Sequence, residues 1–481
     1  MTTTVTLRSK ALFINLLLGL GSTLPLVAQS LSALRIAAGY SHSIALVRSG
    51  AIAAHGENRG GEIGDGTTTA RLCPVYLPPP AGQQWAQVTT GDFRSTALTT
   101  AGEMYSWGSN GYGQLGDGTR NDHGVPFRIA APAGTSWAGV AAGFGHTLAL
   151  CADGTLYAWG DNSYGQLGIG STAGTLAHQL LRSPSGRSWV QVAAGYNFSL
   201  ALCDDGSLYT WGNNDSGQLG DGTRTARPTP VRVAAPSGQS WTQAAGGFWS
   251  TAALCSDGSL YTWGRNNGGQ LGNGNTTDQP APVRLAPPVG QRWQQVTVGD
   301  AHMLAIGSDG SLYGWGDNYY GELGDGTTTS RPTPVRIAPA QQWLQAAAGA
   351  YHSLALAADG QVYGTGHNYS GQLGNGNMQD TNHFGPTCNN ALATTPATPA
   401  APATAAPNPF EDVVRVGLPA SASGPIALAL YTTLGQCVKS ETYGLPVTKE
   451  VVLHDLIALP AGLYLLQIST AQGKRTVKLT H

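Results

Sequence analysis

The chain has 481 residues, with 25 Lys and Arg against 27 Asp and Glu and a formal net charge of -2. Charged residues make up only 11% of it, and there is no basic face to hold a nucleic acid, so that class of partner is not expected. Glycine, at 67 residues, is far above ordinary usage and announces a chain built of turns.

Residues 1–28 read as a separate object. Arg8 and Lys10 precede the apolar run ALFINLLLGLG, and LPLVA ends in the small residue Ala28. This is the pattern of a secretory signal cleaved ahead of Gln29, although Leu26 is larger than the ideal partner of a cleavage site. The run is shorter than the roughly 20 apolar residues a membrane helix needs. No other segment approaches that length, so the protein is expected to be exported and not to span a membrane.

From residue 29 to 388 one sentence is written seven times, most clearly as WVQVAAGYNFSLALCDDGSLYTWGNNDSGQLGDG at 189–222. Its first glycine recurs at Gly39, Gly91, Gly143, Gly195, Gly247, Gly299 and Gly349, with five intervals of 52 residues and a last one of 50. Such a period marks a repeat architecture. VQVAAG, FSLALC, SLYTWG and PVRVAA read as four short strands, with Asp205-Gly206 as the hairpin turn between the second and third. Four strands per unit of about 50 residues is one propeller blade, and seven blades suffice to close a ring. The rival, an open solenoid, would carry atypical polar caps. The end units are indeed degraded: Ala33 stands where the others have tryptophan, AIAAHG replaces LYTWG, and the last unit has VYGTG and no PVRV. That also fits a ring whose seam joins divergent blades, with the seam strand drawn from 28–36 or from 380–388.

Two tryptophan columns, Trp85, Trp137, Trp189, Trp241, Trp293, Trp343 and Trp107, Trp159, Trp211, Trp263, Trp315, are expected to fill the space between blades. Asn58, Asn110, Asn162, Asn214, Asn266, Asn318 and Asn368 are expected to hold their own turns, and the glycines of GQLG to take backbone angles other residues avoid. Cys151, Cys203 and Cys255 share one repeat column, too far apart for disulfide geometry, and read as buried thiols. Cys73 and Cys388 would pair only if the seam brings them together, and Cys437 reads as a lone thiol.

Residues 389–407, NNALATTPATPAAPATAAP, form a Pro/Ala/Thr linker. Residues 408–481 carry further strand-like segments, enough for a small antiparallel β-sandwich. The expected fold is therefore all-β: a seven-bladed propeller followed by a small sandwich.

Two resemblances follow from these motifs. The pattern D-G-x-[LV]-[YF]-x-W-G-x-N-x-x-G-Q-L-G, as in AAGFGHTLALCADGTLYAWGDNSYGQLGIG, resembles the RCC1 (regulator of chromosome condensation) repeat family over residues 36–376. It implies the propeller and says little of function, because a propeller is a scaffold on which sites are grafted. The C-terminal module resembles the type A sorting domain of the Bacteroidetes type IX secretion system, through PNPF (407–410), LYTTLGQCV (430–438) and LPAGLYLLQI (459–468). That resemblance implies handling by the type IX machinery, passage across the outer membrane, removal of the tail, and release or attachment to surface lipopolysaccharide.

Three residues after the repeat glycine stand His42, Arg94, His146, Phe198, Ser250, His302 and His352. Equivalent positions of neighbouring blades are too far apart for zinc, whose ligands lie ~2 Å from the metal, so a structural or channel-lining role is expected. The family column also holds histidine. The N-x-D-x-G loops lack the terminal bidentate glutamate of a calcium loop, and no catalytic motif occurs, so no cofactor or metal is expected. Asp65, Asp117, Asp221 and Asp325 read as parts of turns. Family members that exchange guanine nucleotides use an insertion, and the blade lengths here are nearly constant.

Tyr40, Phe93, Phe144, Tyr196, Phe248 and Tyr351, one or two residues after the repeat glycines, suit either packing or interface anchors. Together with His42, Arg94, His146, Phe198, His302 and His352 they are the candidate interface or channel-lining residues. The expected function is an exported, monomeric binding module for an extracellular protein or glycan. The alternatives are a polysaccharide lyase or hydrolase and a secreted protein inhibitor. The inhibitor reading rests on resemblance to a bacterial RCC1-like propeller that blocks β-lactamases. Perturbed ionisable groups in a central cleft would favour the enzyme.

Overall fold

In a computed structural model every repeat forms one four-stranded sheet, seven in all, paired in chain order and antiparallel. The structure describes residues 33–47, 49–388, 404–406, 413–417, 426–432, 437–443, 450–454, 456, 459, 463–470 and 473–481. The expected signal (1–28), the linker up to residue 403, the PNPF stretch and the side chain of Cys437 lie outside what is described.

Blade four shows why the sequence folds this way. Its strands are Trp189–Ala194, Phe198–Cys203, Leu208–Gly212 and Arg227–Val233. The second is buried along its whole length, as the nearly continuous apolar run FSLALC demands. The Asp205 carboxylate accepts the Ser207 amide at 2.9 Å and closes the hairpin turn. In the long loop after the third strand, Asn214 is fully buried. Its Oδ1 accepts the Leu219 amide at 3.0 Å, and its Nδ2 donates to the carbonyls of Thr223 and Thr225 at 3.1 and 3.0 Å. The matching amide bond recurs at Asn58, Asn110, Asn162, Asn266, Asn318 and Asn368, so each asparagine organises its own loop. The aspartate that follows fastens the loop to the fourth strand: Asp65, Asp221 and Asp325 bind Arg71, Arg227 and Arg331, and Asp117 binds His123.

Both tryptophan columns sit in the blade junctions. Trp107, Trp159, Trp211, Trp263 and Trp315 are fully buried. Each indole N–H donates to a backbone carbonyl of the preceding blade, that of Glu62, Gln114, Gln166, Gln218 or Gln270, at 2.8–3.1 Å. Satisfying the one polar atom of a buried indole is what makes tryptophan usable there. The close approach also explains the last glycine of GQLG. Gly220 has φ +72°, and a Cβ on it would meet Trp263 Nε1 at 2.6 Å. Cys151, Cys203 and Cys255 are buried in the same junctions, and burial pushes the Cys255 thiol up to about 11.

No strand crosses the seam among the described residues. Ala33–Ala38 pairs within blade one, and Thr381–Pro386 supplies blade seven with its own fourth strand although PVRV is missing there. Each of the two segments considered for the seam thus stays in its own blade. The seam is closed by the same contacts as the other junctions. Ser43 Oγ donates to the Gln372 carbonyl at 2.8 Å, and the Gly376 amide to the Leu72 carbonyl at 2.9 Å. His55 and Thr365 stand where the other blades have tryptophan, and Thr365 Oγ1 donates to the Gly321 carbonyl at 2.9 Å. A Cys73–Cys388 disulfide adds a covalent closure, with the Cα atoms 5.5 Å apart and a sequence separation of 315.

The second compact unit, residues 393–481, is a two-sheet antiparallel module. One sheet joins Thr404–Ala406, Val414–Gly417 and Glu450–Leu453. The other joins Cys437–Tyr443, Ile426–Thr432, Leu463–Thr470 and Gly473–Thr480. Its core is Val414, Val416, Leu428, Leu430, Leu453, Leu456, Tyr464, Leu466, Ile468 and Leu479. Thr404–Ala406 lies in the composition-defined linker yet pairs with Val414–Gly417, so the module begins a few residues earlier than the change in composition suggests. No helix among the described residues is long and apolar enough to cross a membrane.

Candidate functional site at the channel mouth

The first strands of all seven blades surround an axial cavity of about 340 Å³. Its walls are mostly small, with Ala37, Thr89, Ala141, Ala193, Ala245, Thr297 and Ala347 in equivalent places. The repeat glycines form a narrow rim at one end. A Cβ on Gly39 would meet the Gly91 carbonyl oxygen at 2.7 Å, and one on Gly349 would meet that of Gly39 at 2.6 Å across the seam. Only glycine lets seven backbones approach this closely at the axis. Inter-blade backbone bonds tie the same rim, including Tyr40 N–H to Asp92 C=O at 3.2 Å and Ala350 N–H to Gly39 C=O at 3.2 Å.

The residue after each glycine stands at the mouth: Tyr40, Asp92, Phe144, Tyr196, Phe248, Asp300 and Ala350. All of these but Phe144 line the cavity itself. The aromatic rings form an unbroken chain of contacts around the mouth. Tyr351 to Tyr40 is 5.7 Å between ring centres, Tyr40 to Phe93 5.3 Å, Phe93 to Phe144 6.4 Å, Phe144 to Tyr196 4.5 Å, and Tyr196 to Phe248 3.9 Å. Trp249 continues it at 4.2 Å from Phe248 and carries the Arg265 guanidinium 4.2 Å above its face. The asparagine loops add Tyr112 beside Phe144 and Tyr320 beside Tyr351.

Two carboxyls stand among these rings, Asp92 next to Phe93 and Asp300 in the place of an aromatic in blade six. Asp92 and Asp300 are enclosed by protein but keep a face on the cavity. Burial pushes Asp92 up to about 7, and the Arg94 charge draws it partly back. Burial, and then the Asp92 charge, hold Asp300 well above the usual carboxylate range. Burial likewise pushes the Tyr196 phenol up to about 12, with both aspartates contributing.

One residue further along, chemistry is replaced by fastening. His42, His146, His302 and His352 are buried, and each Nε2 lies 2.8–3.0 Å from the hydroxyl of Ser95, Ser199, Ser353 or Ser43 in the next blade. The Ser43, Ser95 and Ser199 hydroxyls donate their own protons to backbone carbonyls, so the imidazole Nε2–H is the donor. Nδ1 of His146, His302 and His352 has no partner. Burial accordingly pushes His42 and His146 down to about 3, His302 to about 4, and His352 well below its ordinary value. In blade two Arg94 replaces the histidine and donates to the carbonyls of Phe144 and His146 and to Thr147 Oγ1. Phe198 occupies the place in blade four and is fully buried.

A profile of the RCC1-like domain matches residues 21–293 and 183–416. The chain belongs to the RCC1-like domain family. A second profile, the secretion system C-terminal sorting domain, matches residues 404–480, so this RCC1-like protein is exported, either secreted or attached at the cell surface. The ultraviolet-B receptor UVR8 of Arabidopsis thaliana is 36% identical over 303 residues, which cover 63% of this chain and 69% of UVR8. The E3 ubiquitin-protein ligase HERC2 of Homo sapiens is 31% identical over 321 residues, 65% of this chain but only 7% of HERC2. Among solved structures, human WBSCR16 superposes with a TM-score of 0.63 at 25% identity, covering 69% of this chain and 88% of that one. Prp20p of Saccharomyces cerevisiae gives 0.63 at 24% identity, covering 75% and 88%, and speaks for the fold alone.

Within this RCC1-like propeller the twelve residues singled out from sequence fall into two groups. Tyr40, Phe93, Phe144, Tyr196, Phe248 and Tyr351 are half-buried at the mouth. His42, Arg94, His146, Phe198, His302 and His352 take the structural one of the two roles expected for their column: they lie inside the blade junctions and do not line the channel, because the strand has turned away from the axis by that residue. Sequence reading passed over Asp92, Asp300, Tyr112, Trp249, Arg265 and Tyr320. A signal for the aspartates was present, since two charged residues stand in a column otherwise filled by Tyr, Phe or Ala.

Proposed function

We propose that this exported propeller is a binding module that takes its ligand at the aromatic mouth of the central channel. The observation that carries the reading is the unbroken run of ring contacts from Tyr351 to Phe248, built from positions that change from blade to blade. Large, rigid, amphipathic rings give contact area at low entropic cost, which is why they dominate recognition surfaces. The sorting domain matched at 404–480, the signal-like pattern read at 1–28, and a scaffold whose other repeated columns pack the blades support an extracellular ligand. The test is capture from the organism's surroundings with the full chain as bait, read by mass spectrometry and a glycan array. A Tyr196→Ala, Phe248→Ala double variant should lose the captured partner at least tenfold. Equal capture by variant and wild type overturns the reading.

The two perturbed carboxyls favour one second reading, an acid-assisted polysaccharide hydrolase or lyase. Turnover of a polysaccharide panel that disappears in Asp92→Asn would establish it, and no turnover on any substrate would remove it.

A further inference from the structure

Asp92 and Asp300 come from blades two and six and share the cavity with Tyr40, Tyr196 and Phe248. No hydrogen-bond donor among the described residues reaches either carboxyl. The cation that Asp92 feels, Arg94, is already committed to the carbonyls of Phe144 and His146 and to Thr147. Blade six has no such cation, because His302 is held neutral against Ser353. Burial disfavours the ionised form of both carboxyls and no protein group among the described residues hydrogen-bonds either, so a bound cation would supply the counter-charge that the mouth lacks. Its ligand set does not suit a metal ion: among the described residues no three His, Cys, Asp or Glu gather at one point. Aromatic walls suit an organic cation, whose attraction to ring faces adds to its attraction to a carboxylate.

We propose that the mouth receives the guanidinium or ammonium head of an arginine or lysine side chain presented by a partner polypeptide, with Asp92 and Asp300 as counter-charges and Tyr40, Tyr196 and Phe248 as walls. The proposal rests on the mouth being the binding surface and adds the charge and class of the ligand. A cavity of about 340 Å³ admits a side chain on its alkyl stem and not a folded segment. The cation favours the ionised form of both aspartates, so it should bind more tightly as pH rises from 5.5 to 8. The other groups facing them do not reverse this sign. Arg94 stays charged, and Tyr196 and Tyr351 are held above their ordinary values and stay neutral.

The experiment titrates N-acetyl-arginine amide, N-acetyl-lysine amide, the uncharged N-acetyl-citrulline amide and glucosamine into the full chain by calorimetry. Wild type is compared with Asp92→Asn, Asp300→Asn and with Phe248→Ala, and the melting temperature of each variant confirms that it is folded. Millimolar binding of the arginine or lysine amide, at least tenfold weaker for citrulline and for the double asparagine variant, and tighter at pH 8 than at 5.5, supports the proposal. Equal binding of arginine and citrulline amides, or of wild type and the asparagine variant, overturns it. Binding of glucosamine alone overturns the polypeptide source. If the double asparagine variant still captures the natural partner while Tyr196→Ala, Phe248→Ala does not, the cation proposal fails and the mouth reading stands. If neither variant affects capture, both fail.

Discussion

Two neighbouring columns of the same repeat behave in opposite ways. Three residues after each glycine the side chains are buried, and where histidine stands it is bonded to a serine of the next blade. One residue after it most side chains line the cavity, and the residue in that place changes from blade to blade. The backbone turns outward between them, so a shift of one or two positions exchanges a fastening role for a ligand-facing one. In a ring of near-identical units, shared residues report the junction, and function is to be sought in the columns that differ.

Breaking the junction should be the costliest change. Trp211→Ala removes a fully buried indole and its bond to the Gln166 carbonyl. It should cost about 3–5 kcal/mol in denaturant unfolding. A loss under 1 kcal/mol would mean that the junction collapses around the gap. Replacing Cys73 and Cys388 by serine frees the seam, and should cost about 2–4 kcal/mol. The matching measurement is unfolding with and without reductant, which should differ for wild type and coincide for the serine variant.

The mouth should answer in the other direction. Asp92 titrates near 7 in the folded protein, above its unfolded value, so its favourable contribution is complete only in acid and is lost as pH rises through 7. Asp92→Asn should therefore stabilise the protein by ~1–3 kcal/mol at pH 8 and by nearly nothing at pH 4, read as the shift of the urea midpoint. The histidines carry the opposite sign. His146 is depressed to about 3, so its contribution is intact above 6.5 and falls away as pH drops toward 3. His146→Phe, which copies Phe198 of blade four, should cost about 1 kcal/mol at pH 8 through the lost bond to Ser199. Its stability curve should cross that of the wild type in acid. Parallel curves would contradict a neutral buried histidine.

The propeller was legible because each unit repeats short apolar strands, a glycine hairpin turn (Asp-Gly in five of the seven) and the buried asparagine, so seven weak local signals add up to one strong one. The seam was not, since pairing partners at the two ends of a ring depend on closure and not on local pattern. The fourth strand of blade seven, TNHFGP, shares almost nothing with PVRV beyond its place. The mouth aromatics could be picked from their columns, but not told from the histidines two positions on, because the direction of a side chain at a strand's first residue depends on where the strand leaves the axis. Asp92 and Asp300 were overlooked for a related reason: they lie 208 residues apart in sequence, and only the ring makes them neighbours in one cavity.

Hydrogen exchange on the exported protein, with and without its captured partner, tests the central claim most directly. Binding at the mouth predicts slowed exchange in residues 39–42, 91–94, 195–198, 247–250 and 299–302, with the Asp-Gly turns at the opposite ends of the strands unchanged. Protection confined to those turns, or to the loop around the exposed Val289, would place the partner on the other face and contradict the account.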